Sequence, residues 1–174
     1  INTTIMKTLE FPIRATTISE AVWEDIKKPL LKAEFLRVGI STKFPQDVLY
    51  GPTTVQGFGV FHPWYHQQLK HHIVLLEHTQ QQTMTGQLLT TSFEQLRLET
   101  GTSQFMTDTP YKIMKATVTK TWISDLWEFL NQFHIQLRDD VVQLPLQRKN
   151  NKVLMDEFVT FGYTGNQLKQ INEC

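Results

Sequence analysis

The chain has 174 residues, 40% of them hydrophobic and 20% charged, with 17 basic and 17 acidic side chains and a single cysteine. That mixture excludes a disordered chain and supplies enough apolar material for one domain, or two small subdomains sharing a core, to fold without a disulfide or structural metal. Cys174 has no partner in the chain, which excludes a disulfide scaffold and a cysteine-based zinc site and points to a reducing, intracellular setting, nucleus or cytoplasm.

In chain order, residues 3–9 read as the last turns of a helix, with Ile5, Met6 and Leu9 on one face. Phe11-Pro12 should stop it, because a residue before proline avoids the helical region. Ser19 reads as an N-cap with Glu20 near the positive helix end, and Val22, Trp23 and Ile26 mark the buried face. Pro29 suits the first turn of a separate helix over 29–38, with Leu30, Leu31, Phe35 and Leu36 inward and Gly39 as its stop. Residues 40–63 are punctuated by Phe44-Pro45, Gly51-Pro52, Gly57, Gly59 and Pro63, leaving Phe58 to Val60 for a short extended piece.

A helix over 64–80 follows, with Leu69, His72, Ile73 and Leu76 at helical spacing. Thr85 reads as the N-cap of a helix to Thr100, with Leu88, Leu89, Phe93 and Leu96 on its apolar stripe, Arg97 beside them and Gly101 as its end. After a polar loop over 102–109, one helix is expected from about 110 to 133, with Ile123, Leu126, Trp127 and Leu130 inward. Residues 141–146 alternate as a short strand, and 151–161 read as a helix with Val153, Leu154 and Phe158 inward and Gly162 at its end. Thr164 and Gln167 resemble a capping box for a last helix. The expected fold is mostly α: an irregular helical bundle with one or two short extended segments, organised as 1–62 and 63–174 within one continuous domain. Both ends read as cut through structure, as in a fragment of a longer chain.

Charge and motifs limit the chemistry. Residues 1–70 carry eight basic and six acidic groups, 71–110 one and four, and 111–174 eight and seven, so no stripe is basic enough to imply tight nucleic-acid binding by electrostatics alone. The longest apolar run, Ile73-Val74-Leu75-Leu76, falls far short of a membrane span. Five of six histidines lie between His62 and His78, but the only pair four apart, His62 and His66, straddles Pro63, so helical metal-ligand spacing is lacking. Asp139-Asp140 invites comparison with metal-binding polymerase aspartates, yet Leu137-Arg138 stands where an aromatic-x-Asp-Asp hairpin would begin, and a solvated turn is the plainer reading. Gly57-Phe58-Gly59 lacks the remainder of a dinucleotide loop and reads as turn chemistry. Trp122, Trp127 and Phe133 suit either base stacking or, at helical spacing, a core. Residues 147–152 form a short basic loop. No catalytic residue, metal ligand or cofactor site is expected.

Several ordered blocks carry a resemblance. The stretch Thr8-Leu9-Glu10-Phe11-Pro12-Ile13-Arg14-Ala15-Thr16-Thr17-Ile18-Ser19 resembles the segment that follows the palm in reverse transcriptases of eukaryotic retroelements, as in diatoms, other microalgae and fungi. Gly39-Ile40 with Phe44-Pro45, Tyr50-Gly51-Pro52, and Gln56-Gly57-Phe58-Gly59-Val60 are similar to the next conserved stretch of those proteins. Thr85-Gly86-Gln87-Leu88-Leu89 with Leu98-Glu99-Thr100-Gly101, then Trp122-Ile123, Trp127-Glu128-Phe129-Leu130 and Leu144-Pro145-Leu146-Gln147-Arg148, continue the order. The similarity spans residues 5–165. It departs from the family at Phe61-His62-Pro63-Trp64-Tyr65-His66-Gln67-Gln68, where those proteins carry a "lYttQG" pattern.

The resemblance implies a non-catalytic thumb and connector portion of a parent RNA-directed DNA polymerase, whose catalytic aspartates lie in an upstream palm. Its partner would be an RNA/DNA duplex held together with the upstream polymerase domains, mainly through backbone phosphates. The basic groups near the N-terminus, Lys7, Arg14, Lys27, Lys28 and Lys32, are the expected phosphate contacts. Two other readings stay open: a stand-alone helical protein-interaction module, and a small enzyme in which His66, His72, Glu99 or Asp108 converge in a pocket.

Overall fold

A computed structural model describes residues 7–79, 81–102, 106, 109–137 and 152–173. Among them the chain is mostly helical, as its periodicity predicts, with nine α-helices and no strand. It forms two compact units that divide between Lys70 and His71, inside one helix rather than at residue 62.

The first unit begins with α1 (Lys7–Ala15), α2 (Glu20–Arg37) and α3 (Gln46–Tyr50). Helix α1 does not stop at Phe11-Pro12. Pro12 forfeits only its own amide bond, and Ile13, 1% exposed, rewards continuing the turn. Helix α2 is likewise continuous through Pro29, where two helices were expected. Trp23, Lys27 and Phe35 lie on one buried face on both sides of the proline, and Pro29 itself is exposed. Common packing therefore holds the two halves in register. Ser19 occupies the N-cap position without a side-chain cap bond, and Gly39 takes a left-handed φ of +72° after the helix.

The face of α2 differs from the expected one. Val22, Ile26, Leu30 and Leu36 are exposed, while Lys27 is buried. After α3 and a 3-10 turn at Thr53–Val55, the chain folds back on itself. Phe58 N donates to Val48 O (2.9 Å), Gly59 N to Gly51 O (2.8 Å) and Val60 N to Leu49 O (3.1 Å). The expected extended piece at 58–60 thus satisfies its amides on the carbonyls of α3 and Gly51 instead of forming a strand. A Cβ on Gly57 would fall 2.1 Å from Gly51 O, so the fold-back requires glycine there.

Helix α4 (Pro63–His78) begins in the first unit and ends in the second. Its expected inward residues Leu69, Ile73 and Leu76 are exposed, and Trp64, Gln67, Gln68, His71 and Leu75 are buried. Gln67 explains part of this inversion. Its Oε1 accepts from Trp23 Nε1 (3.0 Å) and Ile18 N (3.2 Å), and its Nε2 donates to Ile18 O (3.0 Å). An amide with hydrogen bonds on both its oxygen and its nitrogen can be buried at little cost, so hydrophobicity alone misleads on this helix.

The second unit contains α5 (Met84–Thr100), α6 (Tyr111–Met114), α7 (Trp122–Gln132), α8 (Leu154–Thr160) and α9 (Asn166–Glu173). Thr83, not Thr85, caps α5, accepting from Gly86 N at 3.2 Å. Leu89, Phe93 and Leu96 are buried as expected, Leu88 is not, and Gly101 ends the helix with φ +66°. The single helix expected over 110–133 is two helices, because Thr121 and Ser124 form a reciprocal capping box that starts α7 afresh. Ile123, Leu126, Trp127 and Leu130 are all buried there. In α8 the buried side chain is Met155, while Leu154 is exposed. Asn172 in α9 donates to Glu99 O (2.8 Å) and Leu98 O (3.3 Å), satisfying carbonyls at the end of α5. The Asp139-Asp140 pair, the strand at 141–146, Asp108 and all but the last residue of the basic loop lie outside the described residues.

Candidate functional site

The five basic candidates separate by environment. Lys7, Arg14, Lys28 and Lys32 are exposed, whereas Lys27 is 4% exposed. The Lys27 ammonium is ion-paired with Glu24 and lies 2.9 Å from His62 Nε2, with His62 Nε2 also 3.2 Å from Glu24 Oε1. Its charge is consumed within the fold, and its burial removes it from the phosphate-contact set. Lys28 keeps 68% exposure beside an equally open Asp25 at 3.3 Å, a pairing too solvated to hold it.

Around Lys27 a mixed polar and aromatic cluster forms. Lys27 Nζ lies 5.1 Å from the Tyr50 ring centroid, and the Tyr50 and His62 rings meet edge-on at 4.9 Å. Burial pushes the Tyr50 hydroxyl pKa up, against the opposing pull of the Lys27 cation. Burial and the same cation push His62 down, and Glu24 only partly offsets them. Burial would raise Glu24, but its bonds to Lys27 and His62 prevail and hold its carboxyl below the usual range. The sequence marks His62 only as half of a metal pair broken by Pro63 and Tyr50 only as part of a turn block, and it does not mark Glu24; the Glu24-x-x-Lys27 spacing beside Trp23 is the available signal.

Beside this cluster lies a shallow apolar groove lined by Leu9, Ile26, Leu30, Tyr50, Val60 and Phe61 among others. Ile26, Leu30 and Phe61 are 40%, 43% and 51% exposed at its rim. Farther along α2, Phe35 meets Phe44 edge-on at 6.2 Å, and Phe44 stacks on Phe58 at 5.2 Å with the rings 5° from parallel.

Of the residues of the small-enzyme reading, His66, His72 and Glu99 each have neighbours of their own, and Asp108 lies outside the described residues. His66 stacks on Phe61 at 5.1 Å, and burial, with the nearby Lys70 cation, lowers its pKa against the opposing Glu10 carboxylate. His72 is lowered by burial alone. Glu99 accepts from Thr119 N (2.8 Å) and Gln95 Nε2 (3.0 Å). Among the described residues no group of three or more His, Cys, Asp or Glu side chains could hold a metal ion, and no helix is long and apolar enough to cross a membrane. Of the base-stacking candidates, Trp127 is fully buried and packs edge-on against Tyr111 at 5.3 Å, while Phe133 is 42% exposed.

Compared with known proteins, the chain matches no protein family, no curated protein and no solved structure.

Proposed function

We propose that the chain is a non-catalytic thumb and connector portion of a reverse transcriptase-like retroelement protein, supporting template–primer binding by a palm carried elsewhere. One observation carries the reading: glycines in the resembling blocks occupy positions where packing demands them. A Cβ on Gly57 would strike Gly51 O at 2.1 Å, and one on Gly86 would strike Gln81 O at 2.0 Å. Gly101 holds the left-handed end of α5. The blocks therefore specify backbone packing rather than chemistry, as a supporting element requires.

The phosphate contacts in this reading are Lys7, Arg14, Lys28 and Lys32. The test is binding of a labelled RNA–DNA duplex, followed by fluorescence anisotropy across a salt series, alongside a primer-extension assay. Four contacts predict a slope of log affinity on log salt of roughly −4 or shallower. Primer extension by this chain, or affinity that persists at high salt, would overturn the proposal.

The apolar groove favours a second reading, a helical protein-interaction module. Its rim residues Ile26, Leu30 and Phe61 offer an anchor site for an apolar side chain. In that case Leu30→Asp would abolish partner binding and leave duplex affinity unchanged.

A further inference from the structure

The stack at the C-terminal part of α2 ends in an open ring. Phe35 is 7% exposed and Phe58 49%. Phe44 lies parallel to Phe58 with centroids 5.2 Å apart, an offset stack that leaves Phe58 half exposed. Lys28, Lys32 and Phe35 follow i, i+4, i+7 spacing, which places both lysines on the side of α2 where the stack begins. Lys43 immediately precedes Phe44 and is exposed. Residues 28–43 contain four cations, Lys28, Lys32, Arg37 and Lys43, against the single acid Glu34. Among the described residues neither Lys32 nor Lys43 takes part in an ion pair.

We propose that this surface binds an unpaired nucleic-acid strand, with one base stacked on the open face of Phe58 and adjacent phosphates reached by Lys28, Lys32 and Lys43. An open aromatic face flanked by cations suits a single strand, because every base has a π-face and every nucleotide a negative charge. A duplex keeps its bases stacked inside and can use only the lysines. The surface uses no group that would distinguish a 2′-hydroxyl, so DNA and RNA strands should bind alike. The inference rests on the nucleic-acid reading above and narrows it to a strand beside the duplex.

The experiment titrates the whole chain into a fluorescein-labelled oligothymidylate of about 15 nucleotides, its oligouridylate counterpart and an RNA–DNA duplex. Phe58→Leu retains apolar packing on Phe44 but removes the stacking face; it should weaken binding of both single strands roughly tenfold and leave duplex affinity within about twofold. Phe58→Trp should restore strand binding. Lys32→Gln and Lys43→Gln, both at exposed positions, should each reduce the single-strand salt slope by about 0.7. Unchanged strand affinity in Phe58→Leu, with the circular dichroism and Tm of the parent chain, overturns the proposal. Should Phe58→Leu fail to fold, unchanged salt slopes in both lysine variants overturn it instead. A polyglutamate peptide that binds with the same dependence on Phe58 would assign the surface to an acidic protein partner and overturn the strand assignment. Absence of duplex binding alongside Phe58-dependent strand binding would defeat the template–primer reading and leave this one standing.

Discussion

Lys27 Nζ and His62 Nε2 stand 2.9 Å apart, a buried cation in direct contact with an imidazole nitrogen. Lysine can only donate, so in this contact His62 Nε2 accepts; the same nitrogen lies 3.2 Å from Glu24 Oε1, to which it donates in the other tautomer, and Nδ1 is buried without a hydrogen-bond partner among the described residues. Glu24 receives the same ammonium, so Lys27 bridges a carboxylate and a neutral ring. A second proton on His62 would set two cations against each other.

That geometry fixes a pH dependence. Burial and Lys27 lower the His62 pKa in the fold, so the unfolded chain takes up this proton first, near about 6.5. The stability contribution is complete above that value and is lost as pH falls toward the folded pKa of His62. His66, lowered by burial and Lys70, adds in the same direction. Glu24, held below its usual range, contributes above the ordinary glutamate value and loses that contribution as pH falls through its lowered one. Thermal unfolding of the first unit should therefore weaken in two acid stages. NMR titration should place the His62 midpoint below that of free histidine, and Lys27→Met should raise it by removing the cation and leaving Glu24 as partner. A wild-type midpoint at or above the free value would refute the assignment.

Gly57→Ala should be among the most damaging small changes in the first unit. Its Cβ would lie 2.1 Å from Gly51 O and 2.7 Å from Gly51 Cα, so backbone must move. A loss of about 3 kcal/mol or more is expected, since the obstacle is main chain rather than a flexible side chain. Gly39→Ala is the control: it has a positive φ of +72° but nothing within 4 Å, so it should cost only about 1 kcal/mol. Urea unfolding of the two variants measures the contrast, and equal costs would contradict the close-approach argument.

Much of this architecture was legible in the residue pattern, and the failures share a cause. Helix class, the α7 core of Ile123, Leu126, Trp127 and Leu130, and the stop at Gly101 follow from periodicity and left-handed glycine chemistry. The faces of α2 and α4 do not, because their buried positions are held by Lys27, Gln67, Gln68 and His71. Gln67 depends on Ile18 and Trp23, and Lys27 on His62, partners distant in sequence that a local window cannot see. The prolines in α1 and α2 misled for the same reason, since tertiary burial outweighs one lost amide bond. The aromatic stack was hidden because Phe35, Phe44 and Phe58 come from a helix, a turn and a fold-back.

Gln67→Leu provides a test of the polar seam in the first unit. Leucine matches the apolar surroundings, yet it strands the Trp23 indole N–H and both backbone groups of Ile18. The loss should be about 2–4 kcal/mol, several times what hydrophobic transfer would recover in a site already filled. Gln67→Glu keeps the acceptor for Trp23 but, once ionised, sets a buried carboxylate oxygen against Ile18 O, so at high pH it should cost at least as much as leucine. Equilibrium unfolding followed by tryptophan fluorescence would register both, and a neutral Gln67→Leu would show that the seam contributes little.

The last prediction concerns the break between α6 and α7. Thr121 Oγ1 accepts from Ser124 N at 3.3 Å, and Ser124 Oγ accepts from Thr121 N at 2.8 Å, so each side chain satisfies the other's amide. Ser124 is fully buried, which leaves its hydroxyl no water to fall back on. Thr121→Ala removes one half of the box and should cost about 1 kcal/mol, within the usual range for an N-cap. Ser124→Ala also strands the Thr121 amide, but it removes a buried hydroxyl with its own solvation demand, so its cost should be similar rather than larger. Because both bonds close together, the double variant should cost less than the sum of the two single ones. Strict additivity in the unfolding free energies would mean that the two bonds act independently and that the start of α7 is set by the packing of Ile123 and Trp127 alone.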